Sequence, residues 1–434
     1  MPKISAHFKS RKPSGIRLAQ IKFAERTDKV DVINTAIGNV SLPMHPAMRE
    51  RMENLTSINS PFKDGVVKYS ETVGTKEAND AVLHIIASSG CNTNGLYSQI
   101  TDGGSAAMEL AIIGCCGAAG TDEAPLLLID AAYTNYQSLT ERTGRKTVSV
   151  RRTLNSDGKF SLPDLKDVEE AIIKHKPSAL VVIPYDNPTG QLFSKEDLIK
   201  LSEICVKHDI WIISDEAYRE LYYTKDEVVS IWKITEEDVK GIEGRRISIE
   251  TASKVWNACG LRIGALVTDN EEYHQKSVAE FTANLCSNSI GQYIFGSLAH
   301  LTHSQLSNWY NTQREYYREI ANSVVEGFKK HLPDAIISQA DASLYSVVDV
   351  RNLVDNEWEA IDFVSYCAEQ GKVKLGKEDM TLLVSPMAGF YTVEKGEINP
   401  GRTQMRIAYV DTPDRMKLVP ELFKKLFDEY MASK

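Results

Sequence analysis

Between residues 126 and 264, short runs of β-branched and other apolar residues alternate with stretches of helical spacing, and this rhythm admits few architectures. The β-rich runs are 126–129, 147–150, 179–183, 211–213 and 247–249, while 165–175 and 195–208, lying between them, place apolar residues at helical intervals. Strand, helix and strand in that order make crossovers, so a parallel sheet covered by helices is expected. Ligands of such sheets collect at the carboxyl ends of the strands. After about residue 300 the texture changes. A long polar helical stretch, 304–332, leads to shorter strands near 344–350, 381–384 and 404–410, which predicts a second, smaller α+β unit. The stretch 386–402 contains Gly and Pro and reads as one long loop near a site.

A length of 434 residues suits two or three such units, and 42% hydrophobic with 25% charged residues is an ordinary folded composition. The formal charge is -9, from 50 Lys and Arg against 59 Asp and Glu, with no long block of one sign, so neither nucleic acid nor an anionic membrane is an expected partner. Small molecules and further copies of the chain are. No window approaches the ~18 to 20 apolar residues of a membrane span, and a signal-peptide pattern is lacking. The seven Cys show no metal-type spacing, and Cys115 and Cys116 sit in a stretch that reads as buried helix; reduced thiols and a cytoplasmic location follow. Lys3, Lys9, Arg11, Lys12, Arg17 and Lys22 precede the first acid, Glu25, which reads as a basic arm lying on another subunit in preference to a transit peptide. His300 and His303 match a metal motif but lack its nearby acid, so they read as helix surface and no metal is expected.

Four segments carry chemistry. Asp102-Gly103-Gly104-Ser105 opens a helical run, where free N–H groups and the helix dipole suit a phosphate, although an ordinary helix cap reads the same way. Pro184-Tyr185-Asp186-Asn187-Pro188-Thr189-Gly190 follows the 179–183 run and sets Asn187 at a strand's carboxyl end, or is a plain turn. Asp215-Glu216-Ala217-Tyr218 puts an acid and a phenol after the neighbouring strand; solvated turn residues are the alternative. Thr251-Ala252-Ser253-Lys254, followed by Gly260-Leu261-Arg262-Ile263-Gly264, suits a lysine that forms a Schiff base beside an arginine that clamps a phosphate.

In order and spacing, Asn187 to Gly190, Asp215 to Tyr218, Ser253-Lys254 and Gly260 to Gly264 resemble the active-site signature of class I/II aminotransferases, pyridoxal 5'-phosphate enzymes of fold type I. The resemblance continues at Ile33 to Gly38, a substrate-loop segment, at Lys68-Tyr69-Ser70, a dimer-crossing tyrosine region, and at Arg406-Ile407-Ala408-Tyr409, a carboxylate-binding arginine. It covers roughly Ser14 to the C-terminal helix. The fold it implies is α/β: a large domain, 61–300, with a mainly parallel seven-stranded sheet covered by helices, and a smaller α+β domain, 301–434. Residues 1–60 would form an N-terminal arm and part of the small domain.

The resemblance also implies roles. Lys254 would be the Schiff-base lysine and proton shuttle, Asp215 the partner of the pyridinium nitrogen, and Asn187 and Tyr218 donors to the phenolic oxygen. Tyr133 would stack on the ring. Gly104, Ser105, Thr251, Ser253 and Arg262 would hold the phosphate together with Tyr69 of a neighbouring subunit in a homodimer. Arg406 would pair with the substrate carboxylate, with Gly38 and Asn187 lining the same pocket. An amino acid and a 2-oxo acid are the implied substrates; β-lyases and aminocyclopropane carboxylate synthase share the signature, and a non-catalytic ligand sensor is a remote alternative. Ala131 and Asn39-Val40-Ser41 depart from the family pattern beside the pocket. Neither Ser105 nor 282–288, where related enzymes place a cation for a distal carboxylate, is charged. A neutral donor is therefore expected, unless Arg17, Lys22 or Arg402 closes over the pocket.

Overall fold

The computed structural model describes residues 2–11, 13–118, 124–225 and 228–434; Lys12 of the basic arm lies outside them. After a first strand, β1 (Asp31–Asn34), come β2 (Tyr97–Thr101), β3 (Leu126–Asp130), β4 (Thr147–Arg151), β5 (Ala179–Val182), β6 (Trp211–Asp215), β7 (Arg246–Thr251) and β8 (Gly264–Thr268). The last seven form one sheet in the order β2-β8-β7-β6-β5-β3-β4. From β7 to β4 all neighbours are parallel, and β8 runs antiparallel to both β7 and β2.

Strands β3 to β7 are the five apolar runs of the sequence. The residues of β3, β5 and β8 are wholly buried, because helices cover both faces, and this is why β3 and β5 read as unbroken apolar runs. Strands β2 and β8 were not legible. Tyr97 to Thr101 mixes polar and apolar residues, and Gly264 to Thr268 follows the lysine loop without a helix between, as an antiparallel return does not need one. The crossover helices Leu165–His175 and Lys195–Lys207 begin where Asp164 and Ser194 cap them, the second with a reciprocal bond from Asp197.

The chain passes from β3 outward to β4, then returns to place β5 on the other side of β3 and continues to β6 and β7. That reversal opens a crevice at the carboxyl ends of β3 and β5. The helix Gly104–Cys115 lies across the sheet, with Ala107, Met108, Ala111 and Ile112 packed among Leu126, Leu128, Ile247 and Ile249.

The remaining strands are β9 (Ile336–Ile337), β10 (Tyr345–Asp349), β11 (Val373–Leu375), β12 (Glu378–Leu383), β13 (Ser385–Pro386) and β14 (Gln404–Ala408). They build a four-stranded antiparallel sheet, β13-β14-β10-β9, and a three-stranded one, β1-β12-β11, in which the first strand of the chain pairs in parallel with β12. A 29-residue helix, His303–His331, leads to them; its Phe328 meets Phe423 of the C-terminal helix at 5.3 Å. The stretch 386–402 is more ordered than one loop: it holds the end of β13 and two 3-10 turns, Ala388–Phe390 and Pro400–Thr403. It reaches the end of β3, where Ala132 donates its N–H to the Phe390 carbonyl and Thr392 donates to the Asp130 carboxylate.

At Arg11 the basic arm meets Glu141 of its own chain at 2.9 Å, an exposed ion pair. Among the described residues no helix is long and apolar enough to cross a membrane.

Candidate active site

A cavity of about 450 Å³ occupies the crevice. Gly38, Gly104, Ser105, Tyr133, Asn187, Asp215, Tyr218, Thr251, Ser253, Lys254, Arg262 and Arg406 all line it, although they come from eight separate stretches of chain. Tyr69 does not. It is 78% exposed and stands with Phe62, Lys68 and Tyr293 on a separate surface hollow.

One end of the cavity is built for an anion. The helix Gly104–Cys115 starts without a side-chain cap: the Ala106 and Ala107 N–H groups go to the Gly103 carbonyl, and no capping side chain takes the N–H groups of Gly104 and Ser105 before them. Gly103 has φ of 85°, and a Cβ there would collide with the Arg262 guanidinium; Gly264 is pressed so close that its Cβ would sit 2.5 Å from the Gly104 nitrogen. The two glycines thus let the turn after β7 and the helix start share one corner. Arg262 donates to the Cys259 carbonyl at 3.0 Å, and Ser253 and Thr251 join their hydroxyls at 2.8 Å beside it.

The middle of the cavity holds Asp215, the last residue of β6. One carboxylate oxygen accepts from the Tyr136 hydroxyl at 2.6 Å and the other from the Ala217 N–H at 3.1 Å. Among the described residues no cation forms an ion pair with it. Burial raises the Asp215 carboxyl above the usual range, and the Tyr136 hydrogen bond opposes that rise. Tyr133, on the turn after β3, meets Tyr136 edge to face at 5.6 Å, and burial pushes its phenol up to about 12.

At the other end, Lys254 donates to the Gly38 carbonyl at 2.6 Å. Arg406, on β14, donates to the Asn187 side-chain oxygen at 2.7 Å and to the Ala36 carbonyl at 2.9 Å, while its Nε, although buried, has no partner. Its guanidinium lies 4.3 Å from the centre of the Tyr345 ring. The Tyr345 hydroxyl meets that of Tyr218 at 2.7 Å, and burial raises the Tyr218 phenol well above its ordinary range.

Sequence reasoning missed Tyr345 and gave Tyr136 no role. Tyr136 stands three residues after Tyr133, within one helical turn, and could have been suspected; Tyr345 is one apolar position among several on β10, and no local signal marks it. Of the cations that could close over the pocket, Lys22 pairs with Glu369, and Arg402 donates to the Trp358 carbonyl at 2.9 Å. Arg17 alone of the three lines the cavity. His300 bonds Glu77 at 2.6 Å, and among the described residues no group of three or more His, Cys, Asp or Glu side chains could hold a metal.

A seven-stranded, mostly parallel sheet with an anion corner, a buried acid and a lysine at its carboxyl edge defines a fold type I pyridoxal 5'-phosphate enzyme. The profile of the family described as aminotransferase class I and II matches residues 30–410, and the chain belongs to that family. The "Probable aspartate/prephenate aminotransferase" of Aquifex aeolicus is 26% identical over 364 residues, covering 83% of this chain and 87% of that protein. The aspartate aminotransferase of Bacillus subtilis is 25% identical over 312 residues, 71% of this chain and 72% of its own. Among solved structures, N-succinyldiaminopimelate aminotransferase from Mycobacterium tuberculosis superposes with a TM-score of 0.80 at 17% identity, covering 98% of this chain and all of the other. Aspartate aminotransferase from Thermus thermophilus with maleate gives 0.77 at 20% identity over 98% of this chain and all of its own. The protein is a pyridoxal 5'-phosphate-dependent aminotransferase.

The residues fit that cofactor on their own chemistry. A buried carboxylate lacking a cation suits a protonated ring nitrogen, and an uncapped helix start beside Arg262 suits a phosphate.

Proposed function

We propose that the enzyme exchanges amino groups between an amino acid and a 2-oxo acid through Lys254, with Asp215, Asn187, Tyr218, Tyr133 and Arg406 in the roles their positions allow. The observation that carries this reading is the convergence on one cavity of Asp215 at the end of β6, Lys254 just after β7 and Arg406 in the middle of β14. When bound, the cofactor supplies an electron sink for the pair left as the substrate Cα–H bond breaks. Lys254 would hold the cofactor through its Nζ, and when substrate takes that place the freed amine would be the base that accepts the substrate Cα proton and, as its conjugate acid, gives it back. Asp215 would hold a negative charge against the ring nitrogen, which is worth most as charge develops in the transition state. Asn187 gives its side-chain oxygen to Arg406, so its NH2 is the group left to donate toward the phenolic oxygen, together with the Tyr218 hydroxyl. Arg406 is oriented by Asn187, Ala36 and the Tyr345 ring to grip the α-carboxylate by its fork.

The working unit in this reading is a homodimer. Ile58, Val66, Val67 and Tyr69 are all more than half exposed along one segment, an apolar edge suited to burial against a second copy, whose phosphate corner Tyr69 would complete. All seven cysteines are free, which suits the reducing cytoplasm. The uncharged Ser105 on the cavity wall favours a neutral amino acid as donor in one half-reaction.

Borohydride reduction of the yellow holoenzyme followed by peptide mapping tests the assignment. The label should fall on the Lys254 peptide, and Lys254→Ala should lose the covalent link and stay folded. A label on another lysine would overturn it.

A further inference from the structure

We propose that Tyr345 is a positioning residue that acts through Tyr218: its hydroxyl donates to the Tyr218 oxygen and thereby turns the Tyr218 O–H toward the cofactor's phenolic oxygen. The inference rests on the transaminase reading above and adds the residue that aims one of its two donors.

The two hydroxyls meet at 2.7 Å, and among the described residues neither has another hydrogen-bond partner. Tyr345 is 2% exposed, and its ring stands edge-on to that of Tyr218 with the centres 5.8 Å apart. Its place is fixed by what packs on it. The Arg406 guanidinium lies on the Tyr345 ring at 4.3 Å and is itself held by the Phe390 ring at 5.2 Å. Gly38 comes so close to the Tyr345 hydroxyl that a Cβ there would collide with it.

A pair of phenols has two O–H groups and uses one in the bond between them. If Tyr218 were the donor, the Tyr345 proton would be left against Gly38, where the described residues supply no acceptor, and an unpaired buried O–H is costly. With Tyr345 as donor, the O–H left over is that of Tyr218, which lines the cavity three residues after Asp215. Burial holds the Tyr218 phenol well above its ordinary range, so it keeps that proton. Asn187 is aimed in the same manner, since Arg406 takes its oxygen and leaves its NH2. Tyr345 rests on Arg406, so the two aiming residues form one unit. The charged and titratable groups around the pair are Arg406 from β14, Lys254 after β7, Asp215 of β6 and Tyr133 after β3, and none of them bonds either hydroxyl. The phenolic oxygen carries most negative charge when the Schiff-base nitrogen has given up its proton, so donors aimed at that oxygen favour the deprotonated form. Tyr345 therefore keeps the pH midpoint of the Lys254 linkage low, by turning the Tyr218 O–H and by polarising it.

The test is a spectrophotometric pH titration of the cofactor band in wild type, Tyr345→Phe, Tyr218→Phe and the double variant, all as holoenzymes. Phenylalanine keeps the ring on Arg406 and removes only the hydroxyl. Tyr345→Phe should raise the midpoint by about half a pH unit, roughly a threefold change in proton affinity, and Tyr218→Phe by about one unit or more. The double variant should match Tyr218→Phe, because Tyr345 then has nothing to aim. Calorimetry with propionate, a probe of Arg406, should give Kd values within about twofold for wild type and Tyr345→Phe. An unmoved midpoint in Tyr345→Phe overturns the proposal, as does a shift that persists in the Tyr218→Phe background, since Tyr345 would then act directly. Weakened propionate with an unmoved midpoint would assign Tyr345 to the carboxylate arginine instead. A wild type without a band that borohydride fixes to Lys254 fails the transaminase reading and this proposal together; failure of the relay alone leaves that label in place.

Discussion

Arg406 reaches from β14 to the turn after β5 and donates to the side-chain oxygen of Asn187 at 2.7 Å, so one hydrogen bond joins the antiparallel C-terminal sheet to the carboxyl edge of the parallel one. The bond also fixes which way the Asn187 amide points, because its oxygen is taken.

Asn187→Asp should for that reason be worse than Asn187→Ala. An aspartate would form a buried ion pair with Arg406 and compete with the substrate carboxylate for the guanidinium, whereas alanine only removes a neutral acceptor. The expected outcome is a KM increase of about a hundredfold for the aspartate variant and about tenfold for the alanine variant, measured with several donors. Equal losses would mean that Arg406 does not bind the carboxylate.

Asp215→Asn should cost activity and stabilise the apoprotein. The rate loss should be about 100-fold to 1,000-fold, as for other lost charge stabilisation. The folded-state carboxyl is raised by burial, so the unfolded chain gives up its proton first; this group's contribution to stability is present at low pH and is lost as pH rises through the folded value. An amide keeps both hydrogen bonds, since the Tyr136 hydroxyl can turn to accept, and removes the charge. Thermal melts of the apoprotein should show the variant melting higher than wild type at pH 8, with the gap closing toward acid. A lower melt at pH 8 would contradict the electrostatic account.

Gly38→Ala and Tyr345→Phe should not be additive. A Cβ on Gly38 collides with the Tyr345 hydroxyl, so the single alanine variant displaces either that ring from Arg406 or the carbonyl from Lys254, and about a tenfold or larger loss of kcat/KM follows. Tyr345→Phe alone removes the bond to Tyr218 and should cost about fivefold. Combined, the second change removes the closest contact, leaving ring carbons at 3.1 and 3.3 Å, and should restore part of the activity lost by the first. Simple multiplication of the two losses would show that the contact is not the cause.

Two inactive variants, Tyr69→Ala and Lys254→Ala, should regain activity on mixing if subunits exchange, because one site of a mixed dimer then carries neither lesion. Up to about a quarter of the wild-type activity is expected for an equal mixture in which half the molecules are mixed. Demonstrated exchange with no activity would end the shared-site proposal.

Local sequence determined a good deal of this protein. Short β-rich runs at β3 to β7 with helical spacing at 165–175 and 195–208 between them are enough for a parallel sheet, and at β3 and β5 burial on both faces leaves no polar alternation to confuse the reading. Lys254, Asp215 and Asn187 were legible because each sits at or within a few residues of a strand's carboxyl end, where ligands of a parallel sheet collect. Strands β2 and β8 were not, since their pairing is antiparallel and their residues mixed or hidden in a glycine-rich loop. What only the tertiary structure decided are the contacts between segments far apart in the chain: Tyr136 on Asp215, Tyr345 on Tyr218 and Arg406, β1 beside β12, and Arg17 chosen over Lys22 and Arg402 as the cation at the cavity. A residue's neighbours in sequence set its backbone conformation, but which charge faces which cavity depends on how separate elements pack, and that is settled by burial summed over the whole chain.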